Sequence, residues 1–491
     1  MIQLTKNSDI VIVLPKEPLK TEQFSAEELA KYLKLSLDVN PKIANERITG
    51  AYHFIIGGPK RNQAALSVID TDAFSDEVSG PEGLYINIRE NDTLLAGSED
   101  NDGYNRGTLY AVYEFLERYL GCCFAAYSKE GAKAGETVPK HTKLTLPTEK
   151  YCKKAADLTY RTAIVQYDTW VGNAEHKLNR SFIGWLAKNR YNRILTWVGI
   201  YEQYVSFGLV EELEKRGIRL SVGHHQASST WLPPYGNKYF ETKYYEEHPE
   251  FYLLYEDGTR HKPQNAQDYR GQLLYCSRGS KVAEEIAKNI VHWAKSNPIV
   301  DTIAFWPNDT VGPQCSCEKC RKYSKTDNYI YLENEIAKTV QKQLPSLKID
   351  LLLYKDLWKP SEVAHLCENL VIDESTWSTK GLRTCGKPDG SDLIGTDLEK
   401  NLLSYSKVCK NLVFYEYYMG TFGNLQRLLP CADELQSIYK HFVKVGISGS
   451  GTQLECFNLW NHLLNFYCFA RTAYDTSLIF SFKCLHRNMF V

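Results

Sequence analysis

The segment NRILTWVGIYEQYVSFGLVEELEKRGIRLSVGHH, residues 192–225, contains a strand, a helix and a second strand in one continuous run. NRILTWVG and IRLSVGHH are short apolar runs of strand length, and GLVEELEKRG between them has apolar residues at helical spacing. A strand that is followed by a helix and then by another strand is the repeating unit of a parallel sheet. The segment therefore predicts an α/β fold in which neighbouring strands run parallel.

The same alternation extends over residues 155–491. The predicted strands are eight short runs: LTYRTAIVQ, NRILTWVG, IRLSVGHH, VDTIAFWP, LKIDLLLY, NLVIDEST, NLVFYEYY and VGISGSGTQ. Helical patterns lie between most of them, and eight such units over about 330 residues are what a (β/α)8 TIM-like barrel with inserted loops requires. The alternative is a doubly wound open sheet, but no glycine-rich phosphate turn follows the first strand. We therefore predict an α/β (β/α)8 barrel over residues 155–491.

Residues 1–150 predict a small α+β domain ahead of the barrel. The supporting segments are the strands SDIVIVLP and YHFIIGGP, the hairpin EGLYINIREN and TLLAGS, and the periodic helices TEQFSAEELAKYLKLSL and GTLYAVYEFLERYLGCCF. The stretch TVPKHTKLTLPTEKY, residues 137–151, is rich in Lys, Pro and Thr, and we interpret it as a linker.

Composition narrows the class of partner. The 491 residues include 58 Lys and Arg against 59 Asp and Glu, so we expect no whole-chain attraction to nucleic acid or to an anionic membrane. The N-terminal residues contain neither a membrane-spanning run nor a visible export signal. The 33 Tyr and 9 Trp residues offer flat, amphipathic faces that suit sugar recognition. Nothing indicates a nucleotide cofactor, and we expect a carbohydrate partner.

A barrel places its chemistry at one end, because the loops after the C-terminal ends of the strands line the open mouth. Aromatic, acidic and imidazole side chains are concentrated at these predicted strand ends. They are Gln166, Tyr167, Asp168, Trp170, Trp197, Tyr201, His224, His225, Trp306, Asn308, Asp309, Tyr354, Lys355, Asp356, Trp358, Asp373, Glu374, Trp377, Tyr415, Glu416, Tyr417, Tyr418 and Glu455. Aromatic faces stack on pyranose rings while acids and imidazoles bind hydroxyl groups, so these residues predict a sugar-binding pocket.

Glycoside hydrolysis needs one protonated and one ionised carboxyl group near the anomeric carbon. We favour Asp309 and Glu416, at the ends of strands four and seven, as the catalytic pair. Asn308 directly precedes Asp309, and this layout resembles many retaining barrel glycosidases, which carry Glu at the position of Asp309. The substrate-binding candidates are Asn308, Trp306, His224, His225, Tyr354, Trp377, Tyr418, Glu374 and Glu455, of which the two glutamates are also substitutes in the catalytic pair.

Four blocks of the barrel sequence carry a resemblance to a known family. SVGHHQASSTWLPP, EEHPEFYLLYEDGTR, GQLLYCSR and IAFWPNDTVGPQCSCEKC, in this order and spacing, resemble the bacterial domain-of-unknown-function family 4838, which overlaps glycoside hydrolase family 163. The resemblance implies an endo-β-N-acetylglucosaminidase that cuts the chitobiose core of complex N-glycans.

Two retaining routes stay open: Glu416 attacks with Asp309 as acid/base, or the 2-acetamido oxygen of the substrate attacks. Relatives that degrade glycans are often exported, so localisation stays open.

The N-terminal domain carries a second resemblance. AEELAKYL, FIIGGP, EGLYINI and GTLYAVYEFLERYLGCCF are similar to the non-catalytic domain that precedes the barrel in α-glucuronidases and hexosaminidases. An α-glucuronidase-like enzyme is therefore one alternative, with Arg161 or Lys355 binding the uronate carboxylate. A non-catalytic glycan-binding protein is another. A third is a damaged enzyme, because residues 465–491, NFYCFARTAYDTSLIFSFKCLHRNMFV, lack helical order, as after a frameshift or truncation.

A C-x-C-x-x-C motif follows Asp309 closely and consists of Cys315, Cys317 and Cys320. A structural zinc site needs four ligands, and no fourth ligand lies nearby at ordinary spacing. The residues that could complete a site through tertiary contact are His225, Cys276 and Cys385. We favour a disulfide or a tightly folded, thiol-lined loop, predict no metal, and expect the loop to shape the rim beside Asp309.

Overall fold

The computed structural model describes most of the chain. The described segments are residues 1–99, 105–127, 135–165, 179–263, 274–357, 365–375, 396–418, 432–454 and 459–478. They form two units, a mixed sheet covered by helices and a closed parallel barrel. Among the described helices, none combines the length and the apolar character that crossing a bilayer requires.

The N-terminal unit is an α+β structure. Its elements are β1 (Ile2–Thr5), β2 (Ile10–Val13), α1 (Lys20–Leu37), β3 (Lys42–Ala44), β4 (Tyr52–Ile56), α2 (Thr71–Glu77), β5 (Leu84–Ile88), β6 (Asp92–Gly97), α3 (Arg106–Arg118), β7 (Lys143–Leu146) and β8 (Glu149–Lys153). Six strands form a sheet in the order β3-β2-β4-β6-β5-β8, and β5 and β6 form the predicted antiparallel hairpin. The apolar face of α3 covers this sheet, with Phe115 and Phe54 rings 5.3 Å apart.

The stretch that the sequence predicts as a linker belongs to this N-terminal unit. It contains β7, which pairs with β1, and the first three residues of β8, which pairs antiparallel with β5. Lysine and proline suggest a linker, but alternate residues of β7, Leu144 and Leu146, are buried. Burial of every second residue is the pattern of a β-strand, and the Lys- and Pro-rich composition of the stretch makes this pattern difficult to recognise in the sequence.

The barrel follows, with each strand separated from the next by helices or long loops. Its elements are β9 (Tyr160–Val165), α4 (Arg180–Lys188), β10 (Arg193–Trp197), α5 (Val198–Ser206), α6 (Val210–Glu214), β11 (Arg219–His224), α7 (Ala227–Trp231), α8 (Tyr244–Glu247), α9 (Val282–Lys295), β12 (Val300–Phe305), α10 (Lys325–Gln341), β13 (Lys348–Leu353), β14 (Leu370–Ser375), α11 (Asp397–Ser406), β15 (Leu412–Glu416), α12 (Ala432–Val445), β16 (Gly449–Gln453) and α13 (Leu459–Tyr474). All eight strands run parallel, and β16 pairs with β9 to close the ring. The predicted (β/α)8 barrel is confirmed.

Side chains alternate between the barrel interior and the surrounding helices. In β15, Tyr415 packs inside the barrel, whereas Phe414 packs outside against Phe442 of α12 at 5.0 Å. The interior is filled closely: a Cβ atom on Gly449 would lie only 2.3 Å from Cβ of Tyr160 on the neighbouring strand. Only glycine fits at that position of β16.

The helix α13 corrects one expectation. Residues 465–474, which lack a recognisable helical pattern, lie within this helix. The pattern is hidden because the helix is buried on several sides, against α12, β9 and, through Tyr474, Tyr110 of the N-terminal unit. Residues 479–491 lie outside the described part of the chain.

A buried carboxylate joins the two units at the end of the barrel opposite the mouth. Glu82, just before β5, accepts hydrogen bonds from Arg106 Nε at 2.5 Å and Asn192 Nδ2 at 2.8 Å. It also pairs with Arg161 at the start of β9. Burial would raise the pKa of Glu82, but Arg161 and Arg106 outweigh it and hold the pKa below its usual range. Arg161 therefore binds Glu82 at the base of the barrel, away from the position where a uronate would bind.

We expect Glu82→Gln to destabilise the protein by about 3–5 kcal/mol, because it leaves buried arginines without their counter-charge. Urea unfolding followed by tryptophan fluorescence measures the change. Glu368→Gln is the matched control, since Glu368 pairs with Lys410 at 3.8 Å in an exposed position, and its effect should stay below about 0.5 kcal/mol. Equally small effects of both substitutions would contradict the assigned role of Glu82.

Candidate active site

Three strand ends place polar side chains around one point of the barrel mouth. Asn308 and Asp309 follow β12, Tyr354 and Lys355 follow β13, and His225 follows β11. The Tyr354 hydroxyl donates to Asp309 Oδ1 at 2.9 Å, and the Lys355 ammonium donates to the same oxygen at 2.5 Å. The Asp309 side chain remains 56% exposed. Its carboxylate is therefore fixed on one side and open to a ligand on the other.

Asp309 is an ionised carboxylate. Partial burial raises its pKa, but His225, Lys355 and the Tyr354 hydroxyl together lower it below its usual range. An ionised carboxylate accepts hydrogen bonds and stabilises positive charge, but it has no proton to give to a leaving group. Asp309 is therefore suited to orient an amide N–H or to face a developing cation.

At neutral pH His225 is uncharged and has a defined tautomer; it lowers the pKa of Asp309 as the protonated imidazole, at the acid pH where Asp309 titrates. Its Nδ1–H donates to the carbonyl oxygen of Pro307 at 2.6 Å, which leaves Nε2 as an acceptor. Burial lowers the pKa of His225; Asp309 and the Pro307 carbonyl oppose this shift, Lys355 adds to it, and the net pKa is lowered. A neutral imidazole with an acceptor lone pair can accept a hydrogen bond from a sugar hydroxyl.

The chain bends sharply at the end of β11. Gly223 has φ +141° and His224 has φ +62°. A Cβ atom at position 223 would lie 2.3 Å from the carbonyl oxygen of Ala304, so the bend requires glycine. The bend directs the His224 ring onto Trp197, with centroids 4.8 Å apart, and onto Trp306, with centroids 4.5 Å apart.

These rings form a floor beneath Asp309. Trp306 is only 1% exposed, its indole N–H donates to Asp350 Oδ1 at 3.1 Å, and Tyr415 stacks on it at 5.9 Å. His224 is equally buried, and burial lowers its pKa well below the usual range, with His225 adding to the shift. Trp306 and His224, predicted to bind substrate, therefore support the site from below.

Below this floor lies a charged cluster formed by Arg193, Asp350 and Asp373, of which the sequence predicts Asp373 as a pocket residue. Arg193 of β10 pairs with Asp350 of β13 and donates to Ser221 Oγ at 3.0 Å. Asp373 of β14 hydrogen-bonds to Asp350, and burial raises the pKa of both carboxyl groups. Two acids beside one guanidinium can thus share a proton. The signal in the sequence is a charged residue next to or within the apolar run of each of three strands: Arg193 in β10, Asp350 in β13 and Asp373 in β14.

Glu416 lies at the tip of β15 and is fully buried. By alternation it lies on the same side of the strand as Phe414, and its Oε1 accepts the backbone N–H of Tyr417 at 2.6 Å. Tyr417 stacks on Tyr415 at 4.9 Å. Burial raises the pKa of Tyr417, hydrogen bonds oppose this, and the charges of Asp309 and Glu416 raise it further. Tyr417, omitted from the substrate-binding candidates, is therefore within electrostatic reach of both acids.

Two predicted site residues face the helices instead of the mouth. Glu374 Oε1 accepts a hydrogen bond from Asn401 Nδ2 of α11 at 2.7 Å, and the Tyr439 hydroxyl of α12 donates to the Tyr418 hydroxyl at 2.8 Å. The reason is the alternation along a strand: Asp373 points inward, so Glu374 beside it points outward. Neither residue is positioned to bind a substrate at the mouth.

The remaining candidates are Asn308, Trp377 and Glu455. Asn308 is buried and holds its loop, because its Oδ1 accepts from Ser228 Oγ at 3.2 Å and its carbonyl oxygen accepts from the Tyr354 hydroxyl at 3.2 Å. Trp377 and Glu455 lie outside the described residues. So do five residues of the wider strand-end set: Gln166, Tyr167, Asp168, Trp170 and Trp358.

One cluster beside the mouth could hold a metal ion. It consists of Cys276, Cys315, Cys317 and Cys320, whose Sγ atoms all lie within 4.8 Å of one another. All four are free thiols, so no disulfide forms among them; of the two alternatives that the sequence favours, a disulfide or a tightly folded, thiol-lined loop, the free thiols agree with the second. The fourth thiol is that of Cys276, which lies just before α9 and is one of the three residues that the sequence offers for a tertiary contact with the motif. His225 is not part of this cluster, and Cys385 lies outside the described residues.

Replacing Glu374 tests its outward placement. Burial raises the pKa of Glu374 to about 8, above the value of about 4.3 for an unfolded chain, so folding takes up a proton between these limits. Stability from this group is complete below the lower value and is lost as the pH rises toward 8. Relative to wild type, Glu374→Gln should therefore gain about 2–4 kcal/mol between pH 5 and pH 8.

Urea unfolding at both pH values measures this gain. Asp397→Asn on α11, the helix whose Asn401 contacts Glu374, is the control, because Asp397 is exposed and its pair with Lys400 at 3.0 Å is exposed as well, and its effect should not depend on pH. A constant difference between Glu374→Gln and wild type would contradict the buried, protonated state.

Comparisons with known proteins concern family and fold. A family model described as a domain of unknown function (DUF4838) matches residues 132–478. No curated protein matches the sequence.

Three solved structures share the fold at low sequence identity. BtGH115A, described as a novel family GH115 4-O-methyl-α-glucuronidase with specificity for decorated arabinogalactans, is 11% identical with a TM-score of 0.58, over 97% of this chain and 58% of that one. A GH138 enzyme targeting pectin rhamnogalacturonan II is 11% identical with a TM-score of 0.57, over 96% of this chain and 64% of that one. CpGH84D is 9% identical with a TM-score of 0.53, over 98% of this chain and 68% of that one.

The chain thus spans less than two thirds of the length of the first two structures, and likeness at such identity concerns the fold alone. The family match covers most of the chain, including the whole described barrel. The protein is therefore a member of the DUF4838 family.

Proposed function

We propose that the protein is a glycoside hydrolase acting on N-acetylglucosamine-containing glycans, as a retaining endo-β-N-acetylglucosaminidase. The observation that carries the proposal is Asp309, an exposed and ionised carboxylate fixed by Lys355 and Tyr354 at the mouth of a closed barrel. A carboxylate held in one orientation beside aromatic rings suits a sugar with an amide substituent.

The charge on Asp309 favours the acetamido-assisted route. In this route the carbonyl oxygen of the 2-acetamido group attacks the anomeric carbon while Asp309 accepts the amide N–H. The glycosidic C–O bond breaks, and the leaving oxygen takes a proton from a second carboxyl group. Water then attacks the anomeric carbon of the cyclic intermediate, and the second carboxylate removes a proton from this water molecule. The bond between the anomeric carbon and the acetamido oxygen breaks, which restores the acetamido group with net retention of configuration.

We assign the second carboxyl group to Glu416. It lies at the tip of β15, three strands from β12 in the ring, and the adjacent Tyr417 is influenced by the charges of both Glu416 and Asp309. Glu455, which follows β16, is the substitute. Tyr417 keeps its phenolic proton at neutral pH and can donate to a sugar oxygen, whereas His225 Nε2 can accept from a hydroxyl.

Asp309→Asn and Glu416→Gln should each reduce glycan release by at least about 100-fold, because each removes a group that acts in the transition state. The substrate is a complex-type N-glycoprotein, and mass spectrometry of the protein measures the product that retains a single GlcNAc. Glu374→Gln is the matched control, since it changes a buried glutamate that faces α11, and it should keep wild-type activity.

Wild-type rates in Asp309→Asn would contradict the proposal. Glu455→Gln, assayed in parallel, decides the second carboxyl group. Loss of activity in Glu455→Gln but not in Glu416→Gln would move the proton donor to Glu455. Full activity in both variants would contradict the two-carboxylate mechanism.

Lys355→Met should shift the acid limb of the pH profile to higher pH. Lys355 lowers the pKa of Asp309, so removing the ammonium raises that pKa, and activity that requires ionised Asp309 is lost earlier as the pH falls. The pH dependence of kcat/KM measures the shift. Lys355→Arg keeps the positive charge and should keep the limb in place, whereas an unchanged limb in Lys355→Met would contradict the assigned role of Asp309.

An α-glucuronidase-like enzyme is the second candidate, and Lys355 at the mouth favours it as a cation for a uronate. The similar fold of BtGH115A, described as a 4-O-methyl-α-glucuronidase, is consistent with it. Incubation with a decorated arabinogalactan distinguishes the candidates: release of uronic acid, abolished in Lys355→Met, would favour this activity. A folded protein that binds N-glycans without cleaving either substrate would favour a glycan-binding role.

A further inference from the structure

We propose that Cys276, Cys315, Cys317 and Cys320 bind a structural Zn²⁺ ion that joins two loops at the rim of the barrel mouth. This inference goes beyond the proposed function and does not depend on it. One loop runs from β11 to α9 and supplies Cys276, and the other runs from β12 to α10, carries Asp309 and supplies the other three thiols.

The positions of the sulfur atoms fit a tetrahedral zinc site. Zn–S bonds of about 2.3 Å place the sulfur atoms of a Cys₄ site roughly 3.8 Å apart. The four Sγ atoms all lie within 4.8 Å of one another, and Cys276 Sγ and Cys317 Sγ are 3.5 Å apart. Four thiols converging from two segments, without a disulfide, form the complete ligand set of a closed structural site.

The surroundings are arranged around the sulfur atoms. Three backbone N–H groups donate to them: Leu254 N–H to Cys315 Sγ at 3.4 Å, Cys320 N–H to Cys317 Sγ at 3.4 Å, and Arg278 N–H to Cys320 Sγ at 3.5 Å. Such outer hydrogen bonds orient the ligands of metal sites.

Close packing around the sulfur atoms requires glycine at position 279. A Cβ atom on Gly279 would lie 2.5 Å from Cys276 Sγ and 2.8 Å from Cys317 Sγ. Cys276, Cys315 and Cys320 are buried with Leu253, whereas Cys317 is partly exposed. The cluster is therefore shielded from water on most sides, as a structural rather than catalytic metal site requires.

The site would hold the loop that carries Asp309. Ser316, between two of the ligands, donates its backbone N–H and its hydroxyl to the carbonyl oxygen of Leu254 at 2.9 and 2.8 Å. Lys325, just after the motif, donates to the carbonyl oxygen of Gly312 at 2.6 Å. Zinc would tie this hydrogen-bonded loop to the segment that contains Cys276.

Metal analysis of the purified full-length protein tests the proposal. Protein expressed with added Zn²⁺ and dialysed without chelator should contain about one zinc ion per chain, measured by plasma mass spectrometry. Cys276→Ser and Cys317→Ser should each lower zinc occupancy at least about tenfold. Cys152→Ser is the matched control, because Cys152 Sγ donates to Glu77 in the N-terminal unit at 3.0 Å, and it should keep its zinc.

Reconstitution of the wild type with Co²⁺ provides a second readout that does not depend on the folding of a variant. Thiolate-to-cobalt charge-transfer absorption and intense visible bands of tetrahedral cobalt are expected. Folded wild type without stoichiometric metal, zinc retained in both ligand variants, or iron in place of zinc would each overturn the proposal.

Discussion

Closure of the barrel by pairing of β16 with β9 fixes the direction of every side chain on its eight strands. Once the ring is closed, alternate residues face either the interior or the helices, and all C-terminal strand ends open on one face. This constraint separates Asp373, which meets Asp350 and Arg193 inside the barrel, from Glu374, which meets Asn401 outside it. Two described carboxylates are exposed at the mouth beyond β12 and β13: Asp309, which is held by Tyr354 and Lys355, and Asp356, which pairs with Lys325 at 2.7 Å.

The buried ion pairs of Glu82 and Arg193 lie at the base and in the middle of the barrel, whereas Asp309 at the mouth is exposed to solvent. Glu82 binds two arginines where the N-terminal unit meets the base, and Arg193 balances the acids in the interior. Burying these charges is costly, and removing one partner would cost more than the pair contributes. The N-terminal unit is thereby fixed at the end opposite Asp309, and its described contacts leave the mouth accessible.

Much of the fold could be predicted from periodicity alone, because parallel strands buried on both faces form short apolar runs between helical patterns. The pattern failed where burial hides it, as in α13, and where composition suggests a linker, as in β7 and β8. For the site, the sequence identified the strand ends but not the side-chain directions. The sequence therefore predicts both Trp306 and Tyr418 as substrate-binding residues, whereas Trp306 is buried beneath Asp309 and Tyr418 faces α12.

The pairing of Asp309 with Lys355 depends on a contact between neighbouring strand ends, and the meeting of Cys276 with the C-x-C-x-x-C motif depends on two loops that are distant in sequence. Neither distance can be inferred from spacing. What the sequence does provide is the residue types, and the carboxylates, imidazoles and aromatic rings at strand ends are the basis of the proposed action on a sugar.

A crystal structure of Glu416→Gln with an N-acetylglucosamine-containing oligosaccharide would show directly whether Asp309 binds the acetamido group. We expect the sugar at the barrel mouth, with its amide N–H donating to Asp309 and its glycosidic oxygen within hydrogen-bond reach of position 416. A sugar bound elsewhere on the protein, or bound at the mouth without contact to Asp309, would contradict the proposed role of this carboxylate.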